Sequence, residues 1–159
     1  MSLDLEKREI TPAELSIMPD AVNFELVDGE LVERNVSVLS SLVETEIVTS
    51  LSVQCKSNNS ALVWGSSLGY QCFPDAPGKV RRPDASAVRS ERFHKDLLND
   101  GYLTIRPDLA VEVVSPNDNA YDVTEKVEEY LQAKVPLVWV VYPEPRIVEV
   151  HRPDGSVNK

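Results

Sequence analysis

Three residues of this chain have the types and the setting to do chemistry: Asp84, Glu112 and Lys126. Glu112 interrupts the apolar run Leu109 to Val114, which reads as a strand buried on both faces. An unpaired carboxylate there is costly enough that it must find a partner or a use. Asp84 opens a second strand, Asp84 to Val88, and Lys126 lies on a helix that follows the first strand and packs against it. Carboxylates from two adjacent strands can hold one magnesium ion, a hard cation that takes oxygen ligands and keeps several waters. An ammonium beside them can orient a water and offset charge developing on a phosphate. Together they describe a site for phosphodiester hydrolysis.

Each residue also has a plainer reading. Arg-Pro-Asp occurs three times, ending at Asp84, Asp108 and Asp154, and such triplets are ordinary turn material. Asp108 stands four residues before Glu112, so at about 3.3 Å per residue their α-carbons are roughly 13 Å apart, too far to share an ion comfortably. Asp154 precedes Gly155 in a turn. Asp84 could instead cap a turn or pair with Arg82. Lys126 follows Asp122 by four residues, the spacing of a surface ion pair on a helix. Tyr130 reads as core. On the preceding long helix Glu46 lies nearer the apolar stripe than Glu44, and neither reads as a metal ligand.

Other chemistries lack their residues. The six glycines are scattered, with no phosphate-cradling G-x-G-x-x-G or G-x-x-x-x-G-K-S/T run. His94 and His151 lie in polar or edge segments, and no serine sits in a nucleophile elbow. Cys55 and Cys72 stand in unrelated segments without metal-type spacing and read as buried filler. The net charge of −10 opposes general nucleic-acid binding. Six of the 16 basic residues nevertheless fall between Lys79 and Lys95, among only two acids, which predicts one local basic face.

The elements that must position the three residues can be read in order. Thr11-Pro-Ala-Glu14 has the form of a capping box, predicting a short helix to about Met18. Phe24–Val27 and Glu30–Glu33 flank Asp28-Gly29, the signal of a type I′ hairpin. Leu39, Val43, Ile47, Leu51 and Cys55, widened by Leu42 and Val48, make an amphipathic helix. Strands are predicted at Ala61 to Trp64, Leu68 to Phe73, Asp84 to Val88, Leu109 to Val114 and Pro136 to Val141, with Ile147 to His151 as an edge strand. The segment 89–99 reads as a helix or ordered loop, and Val123, Val127, Tyr130 and Leu131 define the sheet-facing side of a helix over 122–134. This helix should cross between two parallel neighbours, the strands at 109–114 and 136–141. The length suits one domain spanning 1–159, an α/β sandwich with a mixed sheet. No stretch is long and apolar enough for a membrane span, and MSLDLEKREI lacks a signal-peptide core, so a cytoplasmic location is expected.

At these residues the chain resembles the PD-(D/E)XK nuclease superfamily, and more closely the Uma-two family of bacterial restriction-endonuclease-like proteins. The likeness runs from Phe24-Glu-Leu-Val-Asp-Gly-Glu-Leu-Val through Arg-Pro-Asp84 and Pro-Asp-Leu-Ala-Val-Glu112-Val-Val-Ser-Pro to Asp122, Glu125-Lys126, Glu129-Tyr130 and Val-Trp-Val-Val. It implies a restriction-endonuclease-like fold of a mixed β-sheet flanked by α-helices. It also implies dependence on magnesium or manganese, DNA as substrate, and Asp84, Glu112 and Lys126 as the site, with the two acids as metal ligands. The superfamily's lysine two residues after the strand acid is replaced here by Val114, which leaves Lys126 as the candidate. A homodimer is expected from the resemblance and from the apolar edge at Ile147, Val148 and Val150. The competing class is a catalytically inactive interaction or regulatory module of the same fold.

Overall fold

The computed structural model describes residues 8–159; residues 1–7, which carry part of the N-terminal stretch read above for a signal peptide, lie outside the described residues. Helix α1 (Pro12–Ile17) starts at the expected capping box, with Thr11 accepting from the Glu14 amide and Glu14 reaching back to the Thr11 amide. Strands β1 (Phe24–Val27) and β2 (Glu30–Glu33) form an antiparallel pair. Asp28 and Gly29 between them have φ of 50° and 77°, as a type I′ turn requires. Then come α2 (Val38–Asn58), β3 (Ala61–Gly65), β4 (Ala85–Arg89), β5 (Leu109–Val113), α3 (Ala120–Gln132), β6 (Leu137–Tyr142), β7 (Ile147–His151) and β8 (Val157–Asn158). The last six strands make one mixed sheet in the order β3-β4-β5-β6-β7-β8. Only β5 and β6 are parallel, joined through α3 as expected.

Two helices cover the sheet because β5 is apolar in both phases of its alternation. Leu109, Val111 and Val113 pack with Val43, Ile47, Val48 and Leu51 of α2. Ala110, facing the other way, packs with Val127 and Tyr130 of α3 and with Ala133, the residue that caps it. Glu112 shares the phase of Ala110, so the one charge in the strand points to the α3 side. That places it under Tyr130.

Three predicted features come out differently. The run 68–73 is no strand of the sheet: Tyr70 makes single bridges to Arg81 and Leu103, and its apolar residues serve burial instead, Tyr70 fully and Phe73 nearly so. The expected edge strand, β7, is not the edge, because the chain turns back at Gly155 (φ 83°) and β8 pairs with Val150 and His151. On α2 the sheet-facing side includes Glu44 rather than Leu42, which is 58% exposed. The Ser66 amide donates to Glu44 at 3.3 Å, whereas Glu46 is exposed, so the relative placing of the two acids is reversed.

The hairpin and the segment 80–82 are tied by reciprocal backbone bonds between Leu26 and Val80, both 2.9 Å. Close packing at Gly69 supports that junction: a Cβ there would lie 2.6 Å from Tyr102 and 2.9 Å from Val80. Gly69→Ala should therefore cost about 2 kcal/mol by overpacking. Gly78→Ala, where a Cβ meets nothing within 4 Å, should be neutral within about 0.5 kcal/mol. Urea denaturation of the two variants beside the parent checks both values.

Candidate active site

Strand register brings the two predicted acids together. β4 and β5 pair with Ala85 opposite Val111, so one step further along the same register sets Asp84 against Glu112. Asp84 Oδ2 accepts the Val113 amide at 2.7 Å, which anchors its carboxylate to β5. Its Oδ1 accepts from Arg34 Nη2 at 2.8 Å. Glu112, 6% exposed, accepts from Tyr130 Oη at 3.0 Å and from Lys126 Nζ at 3.3 Å. Lys126 and Tyr130 stand four apart on α3, one turn above the other, which is why both reach the same carboxylate.

Lys126 also pairs with Glu25 Oε2 at 3.1 Å, so its ammonium bridges two buried carboxylates. Glu25, 1% exposed, further accepts the Arg82 amide at 2.7 Å and Arg81 Nη1 at 3.1 Å. Arg81 Nε donates to Glu129 at 2.6 Å, and Lys79 closes the series on the other oxygen of Glu129. Four acids, Glu25, Asp84, Glu112 and Glu129, are thus matched by four cations, Arg34, Lys79, Arg81 and Lys126. A cleft of about 190 Å³ opens onto Asp84, Glu112, Lys126, Glu25, Arg34 and Arg81.

The protonation tendencies of the acids diverge. Burial pushes Glu112 up to about 7 despite Lys126, with Asp84 and Glu25 adding repulsion. Burial also raises Asp84, against the opposing pull of the Val113 amide and Arg34. Glu25 is as deeply buried, yet Lys126, Arg81 and the Arg82 amide outweigh desolvation and hold it below the usual range. Burial would lower Lys126, but Glu112 and Glu25 raise it, so it stays an ammonium. A carboxyl near neutrality beside a fixed cation is a common feature of reactive sites.

Asp84, Glu112 and Lys126 therefore line one cleft. The plainer readings of Asp84 and Lys126 are not what is seen: Asp84 pairs with Arg34 instead of Arg82, and Lys126 turns inward while Asp122 stays exposed. Asp108 is held away by Arg92 and the Arg89 amide, and Asp154 accepts the Ser156 amide in its turn. The predicted basic face does not form. Lys79, Arg81 and Arg82 are buried, Arg92 is paired to Asp108, and only Arg89 and Lys95 of the six are exposed. Internal acids claimed charges that the sequence alone left for solvent. Glu25, Arg34 and Arg81 were missed. The one available signal was Glu25, a charge in the interior phase of the short strand Phe-Glu-Leu-Val.

The donors suit a hard divalent ion in chemistry, since Asp84 and Glu112 offer carboxylate oxygens at one cleft. Among the described residues there is no ready cluster of three or more His, Cys, Asp or Glu side chains that could hold a metal. An ion would rest on two carboxylates and on water, which matches magnesium's habit, and would have to compete with Arg34 for Asp84.

The family model described as "Putative restriction endonuclease", Uma2, matches residues 12–158. The chain belongs to the Uma2 family. Its fold is that of a crystal structure described as a "putative nuclease belonging to DUF820" from Anabaena variabilis ATCC 29413: the TM-score is 0.78 at 21% identity, covering 94% of this chain and 83% of that one. No curated protein matches the chain. The Uma2 chain has no helix, among its described residues, long and apolar enough to cross a membrane.

Glu129 offers a test of the network that leaves the cleft acids untouched. Arg81 and Lys79 hold its carboxyl below the usual range despite burial, so its stabilisation is complete above about pH 4.5 and is lost as pH falls through the lowered value. Glu129→Gln should cost about 3 kcal/mol at pH 7, because it leaves the buried Lys79 without a carboxylate and takes one of two from Arg81. The gap to the parent should stay level down to about pH 4.5 and narrow below it, as measured by denaturant melts across pH 3–7.

Proposed function

We propose that this Uma2 protein is a metal-dependent nuclease that hydrolyses phosphodiester bonds in DNA at the cleft lined by the β1–β2 hairpin, the end of β5 and α3. The observation that carries the reading is the opposition of Asp84 and Glu112 across the β4–β5 strand pair, with Lys126 Nζ 3.3 Å from Glu112. Asp84 and Glu112 would hold magnesium or manganese, which when bound supplies a Lewis acid for the phosphoryl oxygens and an activated water. Asp84 is fixed for that role by the Val113 amide, and Glu112 by Tyr130. Lys126 keeps its proton between two carboxylates and would orient the water and offset charge on the phosphate. It takes the part of the strand lysine whose position Val114 occupies at the cleft wall.

A second reading, an inactive interaction or regulatory module, is favoured by the pairing of every buried charge in the network and by the net charge of −10. We assign the protein to the cytoplasm as a homodimer through the part of β7 that β8 leaves uncovered, where Ile147 and Val148 are 37% and 40% exposed. Light scattering at working concentration should give twice the chain mass. A monomer would remove the dimer without touching the nuclease reading.

Plasmid nicking at low salt, with and without magnesium, separates the two classes. Wild type should cleave only with the metal, and magnesium should raise its melting temperature. Asp84→Asn and Glu112→Gln should lose both effects. Lys126→Ala should keep a metal-dependent shift while cleavage falls about 10²-fold or more. It should also lose about 3 kcal/mol of stability, since Glu25 and Glu112 lose a shared cation, so activity must be read well below its melting point. Inert wild type and variants on DNA and RNA, with no metal-induced shift, would leave the module reading standing.

A further inference from the structure

Among the described residues, three cations line the cleft, and they are not held alike. Arg81, 3% exposed, is gripped by Glu25 and Glu129. Lys126 is gripped by Glu25 and Glu112. Arg34 pairs with one carboxylate, Asp84, and its remaining bonds go to the carbonyls of Ser66 at 3.3 Å and Val22 at 3.5 Å. It also sits differently in the chain. Residue 34 follows β2 in the connection to α2, its amide fixed to the Asn23 carbonyl at 2.9 Å while its side chain lines the cleft.

The two oxygens of Asp84 are equally unlike. Oδ2 belongs to the Val113 amide, a backbone donor that cannot move without breaking β5 from its neighbour. Oδ1 is held instead by a side chain, the guanidinium of Arg34, which can be displaced without disturbing the sheet. A guanidinium and a divalent cation cannot share that oxygen cheaply, because like charges a few Å apart repel by kcal/mol even in a partly screened site.

We propose that Arg34 is the phosphate-binding residue of this cleft: Asp84 holds it until a divalent ion takes Oδ1, and the released guanidinium then grips the non-bridging oxygens of the phosphodiester. The planar fork of an arginine suits two phosphate oxygens at once. The exchange also leaves no anion without a cation. Without metal, Arg34 neutralises Asp84; with metal, the ion does so and Arg34 neutralises the incoming phosphate. A substrate would thereby favour the metal-loaded form. This inference rests on the nuclease reading and adds a residue that neither composition nor spacing singled out.

Two measurements with opposite expected signs test it. Manganese binding, followed by the EPR signal of the free ion, should tighten about tenfold in Arg34→Met, because a competing cation is gone. Binding of a short fluorescent DNA duplex, with calcium replacing magnesium to prevent cleavage, should weaken about tenfold in the same variant. Arg34→Lys keeps the charge but not the fork, so its manganese affinity should stay near wild type while duplex binding weakens several-fold. A residue that merely braced the fold would weaken both. Manganese binding no tighter in Arg34→Met, or duplex binding unchanged in either variant, overturns the role of Arg34; Asp84→Asn losing manganese in the same series would leave the nuclease reading intact. Should Arg34→Met fail to fold, the duplex affinity of Arg34→Lys decides. Wild type binding neither manganese nor duplex overturns both.

Discussion

The ammonium of Lys126, set between Glu25 and Glu112, is the contact on which the centre of this molecule depends. Glu112 stands in a strand whose other residues are all buried, with β4 and β6 on either side and α3 above. Desolvating a carboxylate there costs several kcal/mol, and only a close cation with further hydrogen bonds recovers it. α3 supplies the cation from Lys126 and a hydroxyl from Tyr130, one helical turn apart. The helix is thus fixed to the sheet by charge as well as by the packing of Val127 and Ala133.

One pair leads to the next. Lys126 brings in Glu25, whose second cation is Arg81, whose second acid is Glu129, which is closed by Lys79. The β1–β2 hairpin, the segment 79–82 and α3 are joined through this series. Beyond the contact of Leu26 with Val80, these elements are held in register by charged partners whose exchange would cost the pairing of buried groups. The same series explains how a chain rich in acid can enclose a carboxylate cleft without mutual repulsion dominating it. Glu112 and Asp84 still bear the imbalance, since burial raises both while Glu25 and Glu129 are lowered. The two acids that burial raises are therefore the ones that line the cleft together with Lys126.

Much of the architecture was legible in local pattern. The capping box at Thr11, the Asp28-Gly29 turn, the two-phase apolar run of β5 and the stripe of α3 each depend on residues a few positions apart, so a short window contains the whole cause. The misreadings share a different property. Leu68 to Phe73 has strand-like residues but finds only single-residue partners, and Leu42 looks like core until the rotation of α2 is known. Pairing and rotation belong to the assembled layers.

The site divides along the same line. The sequence by itself determined that a carboxylate had to be buried in β5, that an acid in the Arg-Pro-Asp84 turn could stand beside it, and that a lysine bordering the α3 stripe could reach in, because alternation and helical period are properties of one segment. Only the tertiary structure decided which charges met. Glu25, Arg34 and Arg81 come from segments that nothing local links to Glu112, and their pairings follow from the sheet register and the docking of the hairpin. The basic stretch 79–95 shows the reason most clearly. Its charges looked free in one dimension. Lys79 and Arg81 became interior once acids from distant segments were close enough for Coulomb attraction to offset the loss of water, and Arg82 did so by donating to the carbonyls of Phe24 and Ser67.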